Sequence, residues 1–396
     1  MLVSALKPSR VTARCRTPAV VFLLAAWALA LGSCDSKAPR QAGASEPAPA
    51  PPPPPTLVLY SSADDHLVKL VVEQFEKDSG IKVEWTGDTE QTKTTGLVQR
   101  LIAEKDAPQA DAWWSSEPMG TIRLAREGLL APYKSKVAEA SMTGGWPGNL
   151  RGSDGTWYGF APRVRVIVYN SLKVRKEDRP RTVEDLTKPV FRGRVGMARP
   201  QFGTTGAHMA ALSLVYGEDA FSAWLEAMNT NRVKLFDGNA AVVRAVGTGE
   251  LLVGLTDTDD VWAGQANNWP VDLIYEPNDF ASSPLASFKG FGKVESLALG
   301  AGPLLLPNTV ALVKGALHPD AAKRFIDFLL SERIEGLLLA SESHNLPLRE
   351  RLLRDSRFQT YTLPLRTLQP MNVDFERAAD LMEPTLKLCD EKLGTR

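Results

Sequence analysis

Five residues, Thr256-Asp257-Thr258-Asp259-Asp260, place three carboxylates within four positions, directly after the mostly apolar run 251–255. Oxygen donors at that density can do several kinds of chemistry. They can start a helix, with Thr256 or Asp257 accepting from free backbone N–H groups and the next acids favouring the positive helix end. They can hold a hard cation such as Fe(III), Ca²⁺, Mg²⁺ or Mn²⁺. They can accept hydrogen bonds from a ligand's amine or hydroxyl groups, or one of them can act as a nucleophile. A third acid adds mutual repulsion that capping alone does not require.

The elements that position this run follow from hydrophobic spacing. Leu57-Val58-Leu59-Tyr60 reads as a buried strand, and Asp64 to Phe75 has helical apolar spacing that Gly80 stops. A strand Ile81–Trp85, a helix of roughly 93–105, a strand Ala110–Trp114 and a helix ending at Gly128 continue the alternation. That spacing is βαβ and calls for a mostly parallel sheet covered on both faces. Extended stretches follow at 158–161 and 164–169. A second series then has a strand at 194–198, helices from about Thr205, at 220–229 and at 238–246, and a strand at 253–255. Another strand at 308–313 leads into helical segments up to about Ala340. The fold class is therefore α/β, two lobes joined by extended crossing strands. The acidic run stands at a strand's carboxyl end, where open α/β sheets bind ligands.

Two further stretches carry chemistry. Phe202-Gly203-Thr204-Thr205-Gly206-Ala207-His208 combines glycines, two hydroxyls and a helix start, which suits a bound anion or a simple threonine cap. His208 reads as a surface or packing histidine rather than a ligand. Arg163 and Arg165 alternate with apolar residues, so one of them can face a cleft and grip a carboxylate or phosphate bidentately. Of Trp113 and Trp114, at least one belongs to the core.

Lys plus Arg and Asp plus Glu both number 46, which gives no basis for a nucleic-acid or polybasic membrane binder. Lys7, Arg10, Arg14 and Arg16 precede an apolar run, 19–31, too short for a stable membrane anchor, the pattern of a signal peptide. Leu31-Gly32-Ser33-Cys34 resembles a bacterial lipobox, which implies that Cys34 becomes the lipidated first residue. Cys15 then leaves with residues 1–33 and Cys389 stays alone, so no intrachain disulfide forms. Residues 34–55 end in consecutive prolines and read as a semi-rigid tether.

The body resembles a type II periplasmic solute-binding protein of the ferric-ion-binding group, the receptor subunit of ABC importers. The resemblance rests on LVLYSSADD, FEKDSGIKVEW, DAWWSSEP, REGLLAPY, WYGFAPRVRVIVYN, GRVGMARPQFGTTGAH, GNAAVVRAVGTGELLVGLTDTDD and NTVALVKGALHPDAAKRFIDFLLS, in that order across 56–347. It implies one lobe of 56–162 plus 303–350 and another of 163–302 plus 351–396, each a mostly parallel sheet flanked by helices, with hinge strands between them. It implies Fe(III), or another hard cation, held in the cleft with a synergistic anion. It puts metal ligands at Asp64, Glu117, Asp259 and Asp260, with the two aspartates replacing the family's tyrosine pair. It puts the anion at Ser62, Arg163, Thr204, Thr205, Gly206, Asn239 and Asp257. An ABC permease and its ATPase would be the partners of a monomeric receptor, lipid-anchored outside the cytoplasm. No catalytic cofactor and no enzymatic activity are expected.

Two alternatives remain at this level. A small organic anion, such as a phosphonate or phosphorylated compound, could sit on Thr204-Thr205-Gly206 and Arg163. The run also matches the hhhDxDx(T/V) signature of haloacid-dehalogenase-type phosphatases, with Asp257 as nucleophile and Asp259 as acid/base around Mg²⁺. That motif should open its domain, whereas two-thirds of this chain precedes it.

Overall fold

Strand β1 (Thr56–Ser61) alternates with helix α1 (Asp65–Ser79) because Leu67, Val68, Val71, Val72 and Phe75 recur on one helical face, and all are buried. Gly80 ends α1 in the left-handed region, at φ 69°, where a side chain would be strained. A computed structural model describes residues 55–88, 94–142, 145–201, 203–277, 302–367 and 369–394. The expected signal segment, Cys34 and all of the expected tether except Pro55 lie outside the described residues.

The series continues with β2 (Lys82–Gly87), α2 (Thr95–Ala103), β3 (Ala112–Ser115), α3 (Pro118–Arg126), β4 (Leu130–Ala131) and α4 (Lys136–Ala140). Next come β5 (Trp157–Asn170), β6 (Val195–Ala198), α5 (Gly203–Tyr216), α6 (Glu218–Thr230), β7 (Lys234–Phe236) and α7 (Asn239–Thr248). Then β8 (Val253–Asp257), α8 (Thr258–Ala266) and β9 (Val271–Ile274) precede β10 (Leu305–Val313), α9 (Pro319–Leu329) and α10 (Glu332–Ala340). The chain ends in α11 (Glu350–Leu353), α12 (Gln359–Thr367), α13 (Phe375–Asp380) and α14 (Met382–Leu393).

Hydrogen bonding links the strands in the order β2-β1-β3-β10-β5-β8-β6-β7, with β4 on β10 and β9 on β5. Two parallel sets, β2-β1-β3 and β8-β6-β7, are joined through the antiparallel strands β10 and β5. Strand β5 is buried along its whole length, pairing through residues 157–164 with β10 and through 165–170 with β8 and β9. The handover falls at Ala161, whose φ of 42° is positive for a residue with a side chain. Its carbonyl accepts from Asn308 Nδ2 at 2.8 Å and Asn345 Nδ2 at 3.3 Å, which fixes the bend.

Around the first set, Phe75 of α1 meets Phe325 of α9 edge to face, 5.1 Å between centroids. Beside the second set, α5 is buried nearly all round and lies against α6, α13 and α14. Helix α13 also touches α3. A helix apolar on every side is the expected sequence of one enclosed by neighbours. No described helix is long and apolar enough to cross a membrane.

Candidate ligand site

The carboxyl ends of both parallel sets open onto one cavity of about 610 Å³. Asp64 enters it from the start of α1, Asp88 follows β2, Ser116 follows β3, and Arg163 comes from β5. From the other set come Thr204 and Thr205 in the first turn of α5, Asn239 at the start of α7, Asp257 at the end of β8, and Asp259 and Asp260 in the first turn of α8. Strand ends followed by helix starts are where polar side chains and free N–H groups converge in α/β folds.

Asp257 stands at the N-cap position of α8, yet its side chain makes no capping bond. Its carboxylate turns instead toward β5. Oδ1 accepts from Arg165 Nη1 at 2.9 Å; Oδ2 accepts from Thr204 Oγ1 at 2.6 Å, Asn239 Nδ2 at 3.0 Å and Arg163 Nε at 3.3 Å. Arg163 and Arg165 share a face because side chains alternate along a strand. Burial alone would raise the Asp257 pKa, but Arg165, Arg163 and the Thr204 hydroxyl hold it below the ordinary aspartate value. Burial pulls Arg163 the other way, and the carboxylates of Asp259, Asp257, Asp64 and Asp260 overcome it, so the guanidinium stays charged.

One carboxylate oxygen from each of Asp257, Asp259 and Asp260 lies within 4.8 Å of the other two, a spacing that can hold a cation. Arg163 Nε is 3.6 Å from Asp259 Oδ2, and Asp260 Oδ2 accepts from Thr256 Oγ1 at 3.3 Å. Seven carboxylates line the cavity against Lys69, Arg163, Arg199 and one histidine, His66. Arg163 offsets part of the repulsion among these like charges, and a bound cation would offset more of it. No tyrosine occurs among the described residues lining the cavity.

Other expected site residues fall elsewhere. Glu117, expected as a metal ligand, is the N-cap of α3: its oxygens accept from Met119 N at 2.5 Å and Gly120 N at 3.0 Å. It is buried away from the cavity lining, and burial raises its pKa to about 7 against the opposing backbone bonds and Arg163. Ser62 is also off the lining; its Oγ accepts from Thr94 Oγ1 at 3.0 Å and Ser116 N at 3.1 Å, tying β1 to β3. Gly206 is a glycine for packing, since a Cβ there would come within 2.5 Å of the Pro200 carbonyl oxygen. His208 is buried and off the cavity lining, and it accepts from Arg165 Nε at 3.3 Å through Nδ1; burial and then Arg165 hold its pKa well below the ordinary histidine value. Trp113 and Trp114 are both in the core, donating to Thr121 and Asn308.

Alternation along β5 does not by itself say which arginine faces the cleft. Arg163 does; Arg165 is buried behind it and binds the same aspartate, because its register opposite Asp257 on β8 makes that contact. His66, Lys69, Asp88, Arg199 and Asp237 also line the cavity, and no motif in the sequence marks them.

A two-lobed α/β body with an acid-lined cleft at the strand ends defines a receptor for a small solute. The chain belongs to the bacterial extracellular solute-binding protein family, whose profile matches residues 57–340. The family's members are substrate-binding transport proteins, not enzymes, acting outside the cytoplasm with an ABC permease and its ATPase. The chain is 28% identical over 320 residues to iron uptake protein A1 of Synechocystis sp., covering 79% of this chain and 82% of that one. It is 33% identical over 201 residues to the Fe(3+)-binding periplasmic protein of Serratia marcescens, covering 50% and 56%. In fold it is similar to iron-bound HitA from Pseudomonas aeruginosa, with TM-score 0.71, 23% identity, and 85% and 99% of the two chains covered. The phosphatase reading fails with the family, and also because the would-be nucleophile Asp257 is enclosed by two arginines.

Proposed function

We propose that this chain captures ferric iron, or another hard cation, for an ABC importer, tethered to a membrane through lipidated Cys34. The observation that carries the cargo assignment is the acidic pair Asp259 and Asp260, each offering an oxygen within 4.8 Å of the other and of the Asp257 carboxylate, with Asp64 on the same cavity. Carboxylates are hard donors suited to Fe(III). The names of the two iron-associated relatives agree with this cargo.

The working lobes are 56–162 plus 303–350 and 163–302 plus 351–396. Asp64 belongs to the first and the acidic run of α8 to the second, so a cation bound by both favours closure over β5 and β10. Its differential affinity for the closed state is the signal the permease reads. A phosphonate or phosphorylated cargo is a poorer fit, because Thr204, Asn239 and Arg163 already bind Asp257.

Native mass spectrometry and metal analysis of protein purified from an exporting host test the reading. One iron per chain is the expected result. A metal-free organic adduct overturns it.

A further inference from the structure

The groups that the family resemblance reserves for an accompanying anion are already engaged. Thr204 Oγ1, Asn239 Nδ2 and Arg163 Nε converge on Oδ2 of Asp257, and Arg165 Nη1 takes Oδ1. Every member of this set but Asn239 is at most 4% exposed. We propose that Asp257 is a built-in anion: its carboxylate fills the anion subsite, so the cleft takes its cation without an exogenous one. The proposal rests on the cation reading above and names the residue that sets its anion requirement.

Displacement is the first physical argument. An incoming phosphate would have to take two guanidinium groups from Asp257 and leave that carboxylate buried without its partners, which is strongly unfavourable. Charge is the second, since the cavity is lined by more carboxylates than cations and repels a second anion. Chain connectivity is the third. Asp257 is two residues from Asp259 at the β8–α8 junction, so the counter-charge is held beside the acidic pair by the backbone. A free anion would lose translational freedom on taking the same place.

The test uses inorganic phosphate as the probe. Metal-free protein is titrated with phosphate by calorimetry, and separately loaded with ferric iron in the presence and absence of phosphate. The expected results are no saturable phosphate heat and iron affinity that changes by less than about twofold, where a coupled anion changes it about fivefold or more. Asp257→Asn frees guanidinium charge and is expected to gain phosphate binding and phosphate-dependent iron affinity. Saturable phosphate binding by the unaltered protein, or phosphorus recovered at equal stoichiometry with iron, overturns the proposal. The phosphate titration needs no iron, so failure to load iron counts against the cargo reading and not against this one. Should Asp257→Asn not fold, the phosphate titration of the unaltered protein decides the question alone.

Discussion

Glu117 and Asp257 occupy the same local position, the N-cap of the helix that follows a strand, one in each parallel set. Both are buried acids, and both are ligand candidates from their place in the sequence. Glu117 turns forward and caps α3 with two backbone N–H bonds, while Asp257 turns back and meets two arginines on β5. The difference lies in the neighbouring strand. Among the described residues no side-chain cation bonds the Glu117 carboxylate; the helix amides take it and burial raises its pKa to about 7. Opposite Asp257, the register of β5 delivers Arg165, and the charge is held. One acid shapes the scaffold; the other sets the electrostatics of the cleft.

The sharpest way to break this contrast is to remove the charge at Asp257. Asp257→Ala leaves Arg163 and Arg165 buried beside a void, and urea unfolding should show a loss of about 3–5 kcal/mol. A loss below about 1 kcal/mol would mean that the arginines find other partners and that the pairing is not structural.

Glu117 predicts a pH dependence of the opposite kind. Its folded-state pKa is raised from 4.5 to about 7, so the stability it contributes is fully present below 4.5 and is lost as pH rises through 7. Denaturation followed between pH 4 and pH 8 should reveal a decline of about 3 kcal/mol from this group, absent in Glu117→Gln. Equal slopes in the two proteins would remove the distinction between the two acids.

Asp259→Asn with Asp260→Asn sharpens the comparison further. Both side chains line the cavity, and the lost 3.6 Å contact of Asp259 with Arg163 is offset by relief of the repulsion between the acids. Unfolding free energy should therefore fall by less than in Asp257→Ala while cation binding is abolished. A smaller effect is spectroscopic. With no tyrosine on the described cavity lining, the iron-loaded protein should lack an intense tyrosinate-to-iron band in the visible spectrum. Such a band would place a tyrosine on the metal.

Much of this is legible in the sequence because strand ends are. Hydrophobic runs locate β1, β3 and β8, and among the residues after β1 and β8, Asp64, Asp259 and Asp260 do line the cavity. Arg163 and Asn239 fall there too. Glu117, Ser62 and Gly206 do not, since spacing says which residue follows a strand but not which way its side chain turns. The Asp257–Arg165 contact depends on β5 pairing with β8 across about 90 residues, a register that no local pattern encodes. His66, Lys69, Asp88, Arg199 and Asp237, which also line the cavity, look in the sequence like any solvated polar side chain.

Iron retention after desalting, compared between the unaltered protein and the Asp259→Asn, Asp260→Asn double variant, tests the central claim most directly. The account predicts one iron per chain in the first and none in the second. Equal retention by both, or none by the unaltered protein, would contradict it.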